Sequence, residues 1–164
     1  MIDNTTVDNN LKDCAAIRIP PLLFFFICLG FGFLLEYLLP VDLIGIPLIL
    51  RRIGGGTLLL FFGYFAVSAF IVLIKNKTPF IPAKPTIKIV QEGSFRFSRN
   101  PMYFSLLLLL SGIAILVFSI WLFIAIPVLY FLFLFFAVKP EESYLSGKFG
   151  KEYLDYKAKV RRWI

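Results

Sequence analysis

The chain has 164 residues, 59% of them apolar and 20 of them Phe, with 17 Lys and Arg against 10 Asp and Glu for a formal charge of +7. A globule this small has too little interior to hide so much apolar side chain, so lipid must be the solvent for much of it. No His is present, which removes Ser-His-Asp and Cys-His nucleophile pairs, HExxH-type zinc sites and histidine acid–base chemistry.

Residues 1–18 are rich in Asn, Asp and Thr and lack a basic n-region and a small-residue cleavage site, so a polar tail is expected rather than a leader. The two cysteines, Cys14 and Cys28, are too few for a disulfide framework or a four-ligand zinc site. Residues 19–164 read as one membrane domain. A first span is expected at about 19–39, apolar apart from Glu36, whose place near the membrane interface suits a snorkelling carboxylate. Pro40, Asp42, Gly45, Pro47 and the pair Arg51-Arg52 then interrupt the pattern before a second span at about 53–74. The run Gly54-Gly55-Gly56 lacks the Lys-Ser/Thr that would complete a phosphate-binding loop and reads as a flexible helix entry.

The segment 75–100 carries six basic residues and prolines at 79, 82 and 85, which make it an aqueous loop ordered by proline. The stretch 103–138 is free of charge. As one helix it would reach about 54 Å, nearly twice the roughly 30 Å hydrocarbon core, so it must fold back. A turn near Ser119 gives spans at about 103–118 and 120–138. Such a hairpin brings the residues before Tyr103 beside those after Val138.

Beyond Glu141, apolar residues at 145, 149, 153, 156, 160 and 163 recur at steps of four and three among charged ones. This pattern predicts an amphipathic surface helix at about 141–162, bent in its first turns by Gly147 and Gly150. The fold class expected is therefore an all-α integral membrane protein of four transmembrane helices, the last two a hairpin, plus that surface helix. Thirteen of the seventeen basic residues fall in the 75–100 loop and the C-terminal segment, which puts both termini on the cytosolic side.

The polar groups at the hairpin's open end are Arg96, Arg99, Asn100, Tyr103, Lys139, Glu141 and Glu142. Asn100-Pro101 and Lys139-Pro140-Glu141-Glu142 also suit helix starts, and local rules leave both readings open. The string Glu92-Gly93-Ser94-Phe95-Arg96-Phe97-Ser98-Arg99-Asn100-Pro101-Met102-Tyr103 is followed, one hairpin later, by Glu141-Glu142-Ser143-Tyr144-Leu145 and Phe149-Gly150-Lys151-Glu152-Tyr153. Over roughly residues 53–162 this order resembles the isoprenylcysteine carboxyl methyltransferase family and the related phospholipid methyltransferases.

The resemblance implies an integral membrane enzyme that takes a methyl group from S-adenosylmethionine. The implied cofactor contacts are Ile87, Lys88, Ile89, Val90, Phe95, Asn100, Pro101, Met102, Tyr103 and Glu141, with Arg99, Asn100 and Tyr103 as positioning groups. It further implies a lipophilic or lipid acceptor entering from the bilayer, with membrane lipid as the surroundings and neither nucleic acid nor metal as a partner. Two positions depart from the eukaryotic pattern: Asn100 stands where those enzymes have His, and Ala137 where they have the Arg that holds the substrate carboxylate. The reading from another class is a non-enzymatic four-span scaffold or transporter subunit. Spans two to four have no mid-membrane ionisable group, which speaks against transport.

Overall fold

The computed structural model describes residues 20–41, 43, 45–78 and 86–164; Cys14, the polar tail and the three loop prolines lie outside them. All regular structure among the described residues is helical: α1 (Pro21–Leu38), α2 (Leu48–Lys75), a 3-10 turn (Gly93–Arg96), α3 (Pro101–Val117), α4 (Ile120–Phe133), a π turn (Leu134–Val138), α5 (Lys139–Phe149) and α6 (Lys151–Lys159). Three helical runs are long and apolar enough to cross a membrane, namely Pro21–Leu38, Leu48–Lys75 and the continuous Ile120–Phe149; Pro101–Val117 is a shorter apolar helix. The helices pack in the order α2, α3, α4, α1, with α2 against α3 the most extensive pair.

The α2–α3 crossing is close because two glycines face each other. A Cβ on Gly55 would fall 2.6 Å from Leu116 Cγ and 3.0 Å from Gly112 O, and one on Gly112 would fall 2.9 Å from Leu59 Cδ2. Small residues at such a crossing let helix backbones approach in a medium where lipid supplies no hydrophobic drive. Of the glycine run only Gly55 is used this way, since Gly56 has open space and Gly54 only ordinary contact. That corrects the reading of the run as a flexible helix entry.

Helix α2 also begins ahead of Arg51-Arg52 rather than after the pair. Arg51 sits inside the helix because its guanidinium serves the C-terminus of the neighbouring α3: it donates to Leu116 O at 2.7 Å and Ile115 O at 3.4 Å and lies 4.7 Å from the Phe118 ring centre. These are terminal carbonyls of α3, which have no intrahelical partner and carry the negative end of the helix dipole.

The uncharged stretch reverses at Phe118–Ser119. Phe118 takes a left-handed conformation (φ 64°) and closes α3 through its N–H to Ala114 O at 2.8 Å. Ser119 then caps α4, its Oγ accepting from Leu122 N at 3.3 Å. The same hydroxyl donates to Glu36, and Trp121 Nε1 donates to Leu39 O at 2.8 Å, so the end of α1 is tied to this turn. Glu36 thus has a protein partner instead of reaching only for solvent.

Between α4 and α5 the helix passes through Pro140 without breaking. Proline offers no N–H and its ring crowds the carbonyl four residues back. The π turn absorbs this by widening the helix, with Lys139 N–H bonding Leu134 O five residues back. Downstream, the single surface helix expected at 141–162 is instead two helices broken at Gly150 (φ 51°), ending at Lys159 with Val160 extended. Its aromatic face turns inward: Tyr153 and Tyr156 are buried, and Trp163 packs against Tyr130 with ring centres 5.3 Å apart.

Candidate active site

The loop before α3 is seated on α2 by a glycine. Gly93 holds φ 56°, and a Cβ there would lie 2.7 Å from Ser68 Oγ and 2.8 Å from Val72 Cγ2. Only glycine combines that backbone with that proximity. The next residue anchors the turn, Ser94 N–H donating to Ser68 Oγ at 3.0 Å. Val90 packs with Val72 and Leu73, and with Phe95 and Met102 at the edge of the cluster. Tyr156 OH donates to Phe95 O at 2.8 Å, tying α6 to the same turn.

These restraints leave a cavity of about 610 Å³, within the usual range for small-molecule sites. Its polar end is made by Arg99, Asn100, Tyr103, Glu141, Tyr153 and Tyr156, while Phe62, Ala66 and Phe70 of α2 and Pro21 and Leu22 of α1 give an apolar side. Lys88, Ile89, Val90, Phe95, Pro101 and Met102 complete the wall from the loop and the start of α3. Of the ten implied cofactor contacts only Ile87 is absent from the lining, being 65% exposed. Arg96 and Lys139 also point elsewhere; Lys139 lies over the Phe135 ring at 4.3 Å. Ala137 is wholly buried in the main core with Tyr103, Phe133 and Val138 and contributes nothing to the cavity wall.

Glu141 is oriented by Tyr103, whose OH donates to its Oε2 at 2.9 Å. Glu142 faces the other way and joins two guanidiniums: Arg99 at 3.1 Å, and Arg162 through a fork of 3.0 and 2.9 Å. With Arg99 and Glu142 side chains 7% and 9% exposed, removing one partner would leave a buried charge uncompensated, which costs about 3–5 kcal/mol. Burial beside Glu142 pushes the Tyr153 phenol up to about 12, and burial raises that of Tyr156 as well. Both therefore stand as neutral hydroxyls near pH 7. The Glu142 carboxylate raises Arg162 above its already high ordinary value.

Asn100 occupies the N-cap position of α3 yet makes no side-chain cap; its Nδ2 donates to Arg162 O at 3.0 Å instead. Arg99 Nε is buried without a hydrogen-bond partner. The polar end thus offers a carboxylate, Glu141, and a guanidinium, Arg99, beside aromatic and apolar walls. That set matches a zwitterionic head joined to an apolar body. Among the described residues no group of three His, Cys, Asp or Glu could hold a metal ion.

Sequence reasoning missed Tyr153 and Tyr156, because steps of three and four fit an interfacial helix as well as one facing a cavity. It missed Arg162 because much of that residue's role is carried by its backbone carbonyl, which leaves no signature in the side chains.

A family profile described as phospholipid methyltransferase matches residues 50–152, more than half the chain and most of the cavity wall. The chain belongs to this family. It is the family that includes the isoprenylcysteine carboxyl methyltransferase-like membrane methyltransferases, so the resemblance read from the two motifs holds. An uncharacterized protein of Haemophilus influenzae is 40% identical over 68 residues, which are 38% of this chain and the whole of that protein. No solved structure matches.

Proposed function

We propose that the protein is an S-adenosylmethionine-dependent methyltransferase that acts at the cytosolic membrane face on a lipophilic small molecule or lipid. What carries this reading is that nine of the ten residues assigned to the cofactor by resemblance, all but Ile87, line one cavity. In this reading α3 completes a set of four spans, and the loop, α5 and α6 lie on the side of the termini, where most of the basic residues are.

The donor set fits the cofactor. Glu141, held by Tyr103, would take its ammonium, and the Arg99 guanidinium at the same end of the cavity would draw its carboxylate. Phe95 and Tyr103 offer ring faces for adenine or the cationic sulfur. When bound, the cofactor supplies an electrophilic methyl group on a sulfonium. The chain's own contribution is to orient and to exclude water, since charge is cancelled as the methyl moves and in-line positioning is the main requirement. Asn100 can donate and accept hydrogen bonds but cannot take a proton, so it is a positioning group. Phe62, Ala66 and Phe70 give the acceptor an apolar approach from the bilayer side of α2.

The test is calorimetry with S-adenosylhomocysteine on purified protein in detergent. Saturable one-site binding supports the proposal; absence of binding by folded wild type sinks it.

A further inference from the structure

The C-terminal residues beyond α6 are not helical, yet they are tied to the site at several points. Arg99 N–H donates to Arg161 O at 3.0 Å. Ser98 Oγ at 3.3 Å and Asn100 Nδ2 at 3.0 Å both donate to Arg162 O. The Arg162 guanidinium grips both oxygens of Glu142, whose Oε1 also holds Arg99. Trp163 is anchored on Tyr130 of α4. The family match ends at residue 152, so none of this segment falls within it.

We propose that residues 160–164 form a strap that sets Arg99 and Asn100 at the polar end of the cavity, with Arg162 as its positioning residue. The physical reason is a competition. An Asn at an N-cap ordinarily turns its side-chain oxygen back to accept from the first N–H groups of its own helix. Here the Arg162 carbonyl draws Nδ2 away, and the Arg162 side chain fixes that carbonyl by clamping Glu142. Arg99 is held from two directions, through its amide by the strap and through its guanidinium by Glu142. Its Nε is thereby kept buried and unpaired instead of rotating to find a partner.

The inference rests on the reading of the cavity as a cofactor site, and two measurements on the full chain in detergent separate the two. The first is hydrogen exchange of the 98–103 amides without any ligand, which Arg162→Ala should speed. Unchanged exchange overturns the strap. The second is S-adenosylhomocysteine affinity, which Arg162→Ala should weaken about tenfold, with Arg162→Lys recovering part and the control Lys157→Ala, on the exposed face of α6, staying at wild type. In an Asn100→Ala background the Arg162→Ala loss should shrink to about threefold or less, because the part that passes through Asn100 is already gone. Fully additive losses, or a lowered melting temperature with unchanged affinity, would make the segment structural only and overturn the proposal. If wild type binds no ligand while exchange still rises, the strap stands and the functional reading falls.

Discussion

Tyr103 and Glu141, 38 residues apart, share a hydrogen bond of 2.9 Å where α3 begins and α5 begins. The bond exists because the intervening chain is a hairpin whose two open ends meet, and it fixes the carboxylate against the cavity wall.

Glu141→Ala should therefore weaken S-adenosylhomocysteine binding by about 1.5–3 kcal/mol, the loss of a charge-assisted contact, and Tyr103→Phe by about 0.5–1.5 kcal/mol. Glu36→Ala, whose partner is Ser119 at the far end, should leave affinity near wild type. Calorimetry reads all three. Equal small effects would make Glu141 an ordinary first-turn acid of α5.

Arg51→Ala should lower stability by about 1–2 kcal/mol by leaving the α3 carbonyls of Ile115 and Leu116 unserved, whereas Arg52→Ala should be nearly neutral. Unfolding in mixed detergent, followed by far-UV dichroism, distinguishes the two. A neutral Arg51→Ala would mean that water serves those carbonyls equally well.

Gly93→Ala combines a left-handed backbone with a clash on Ser68 and Val72. A cost of about 1–3 kcal/mol is expected, together with loss of ligand affinity as Phe95 shifts with the turn. Ser94→Ala is the control for the position, since it keeps the backbone N–H that bonds Ser68. A Gly93→Ala protein with wild-type melting and affinity would show that the loop does not need this seat.

The buried phenols give a pH signature. Tyr153 titrates near 12 in the fold and Tyr156 is likewise raised, against about 10 in an unfolded chain. Between those values the unfolded state loses its protons first, so the stability due to the neutral phenols is fully present below about pH 10 and is lost as pH rises through about 12. Tyrosinate absorbance at 295 nm should accordingly come up in two stages, with Tyr153→Phe and Tyr156→Phe each removing amplitude from the later one. A single stage near pH 10 would place both rings in contact with water.

Ala137 bears on the acceptor. The side chain at 137 is sealed in the core and presents no guanidinium, and the exposed ammonium of Lys139, held over Phe135, cannot copy a bidentate fork. With radiolabelled cofactor, methyl transfer to a farnesylated cysteine analogue should be poor beside transfer into a total membrane lipid extract. Robust turnover of the prenylcysteine alone would show that another residue holds the carboxylate.

Much of the helical architecture is written in residue type and run length. A charge-free run too long to cross once must turn, and the polar Ser119 sits where it does. The cavity wall was legible through the motif on either side of that hairpin, down to Phe95, Asn100 and Glu141. Arg51 was not, because a window of sequence shows a charge interrupting an apolar run and cannot show that carbonyls about 65 residues onward will want it. The break at Gly150 was visible as a bend, yet the inward turn of Tyr153 and Tyr156 depends on a cavity that exists only once α2, α3 and the loop have assembled.

The π turn before Pro140 acts as a phase shifter. Upstream, Phe131 and Phe135 keep step on a face exposed to lipid; downstream, Glu141 and Leu145 keep step on the cavity. The two stripes are joined by one surplus residue. Removing one residue from 134–138 would take out that surplus and let an even α-helical pitch run from α4 into α5 with the two stripes still in step, at the cost of setting the Pro140 ring against the carbonyl four residues back. One residue added after the turn, between Val138 and Glu141, would instead rotate Glu141 off Tyr103 by about 100° while composition and hydropathy scarcely changed. The spacing between membrane anchor and site is thus set by a count of residues, and the π turn is where that count has one to spare.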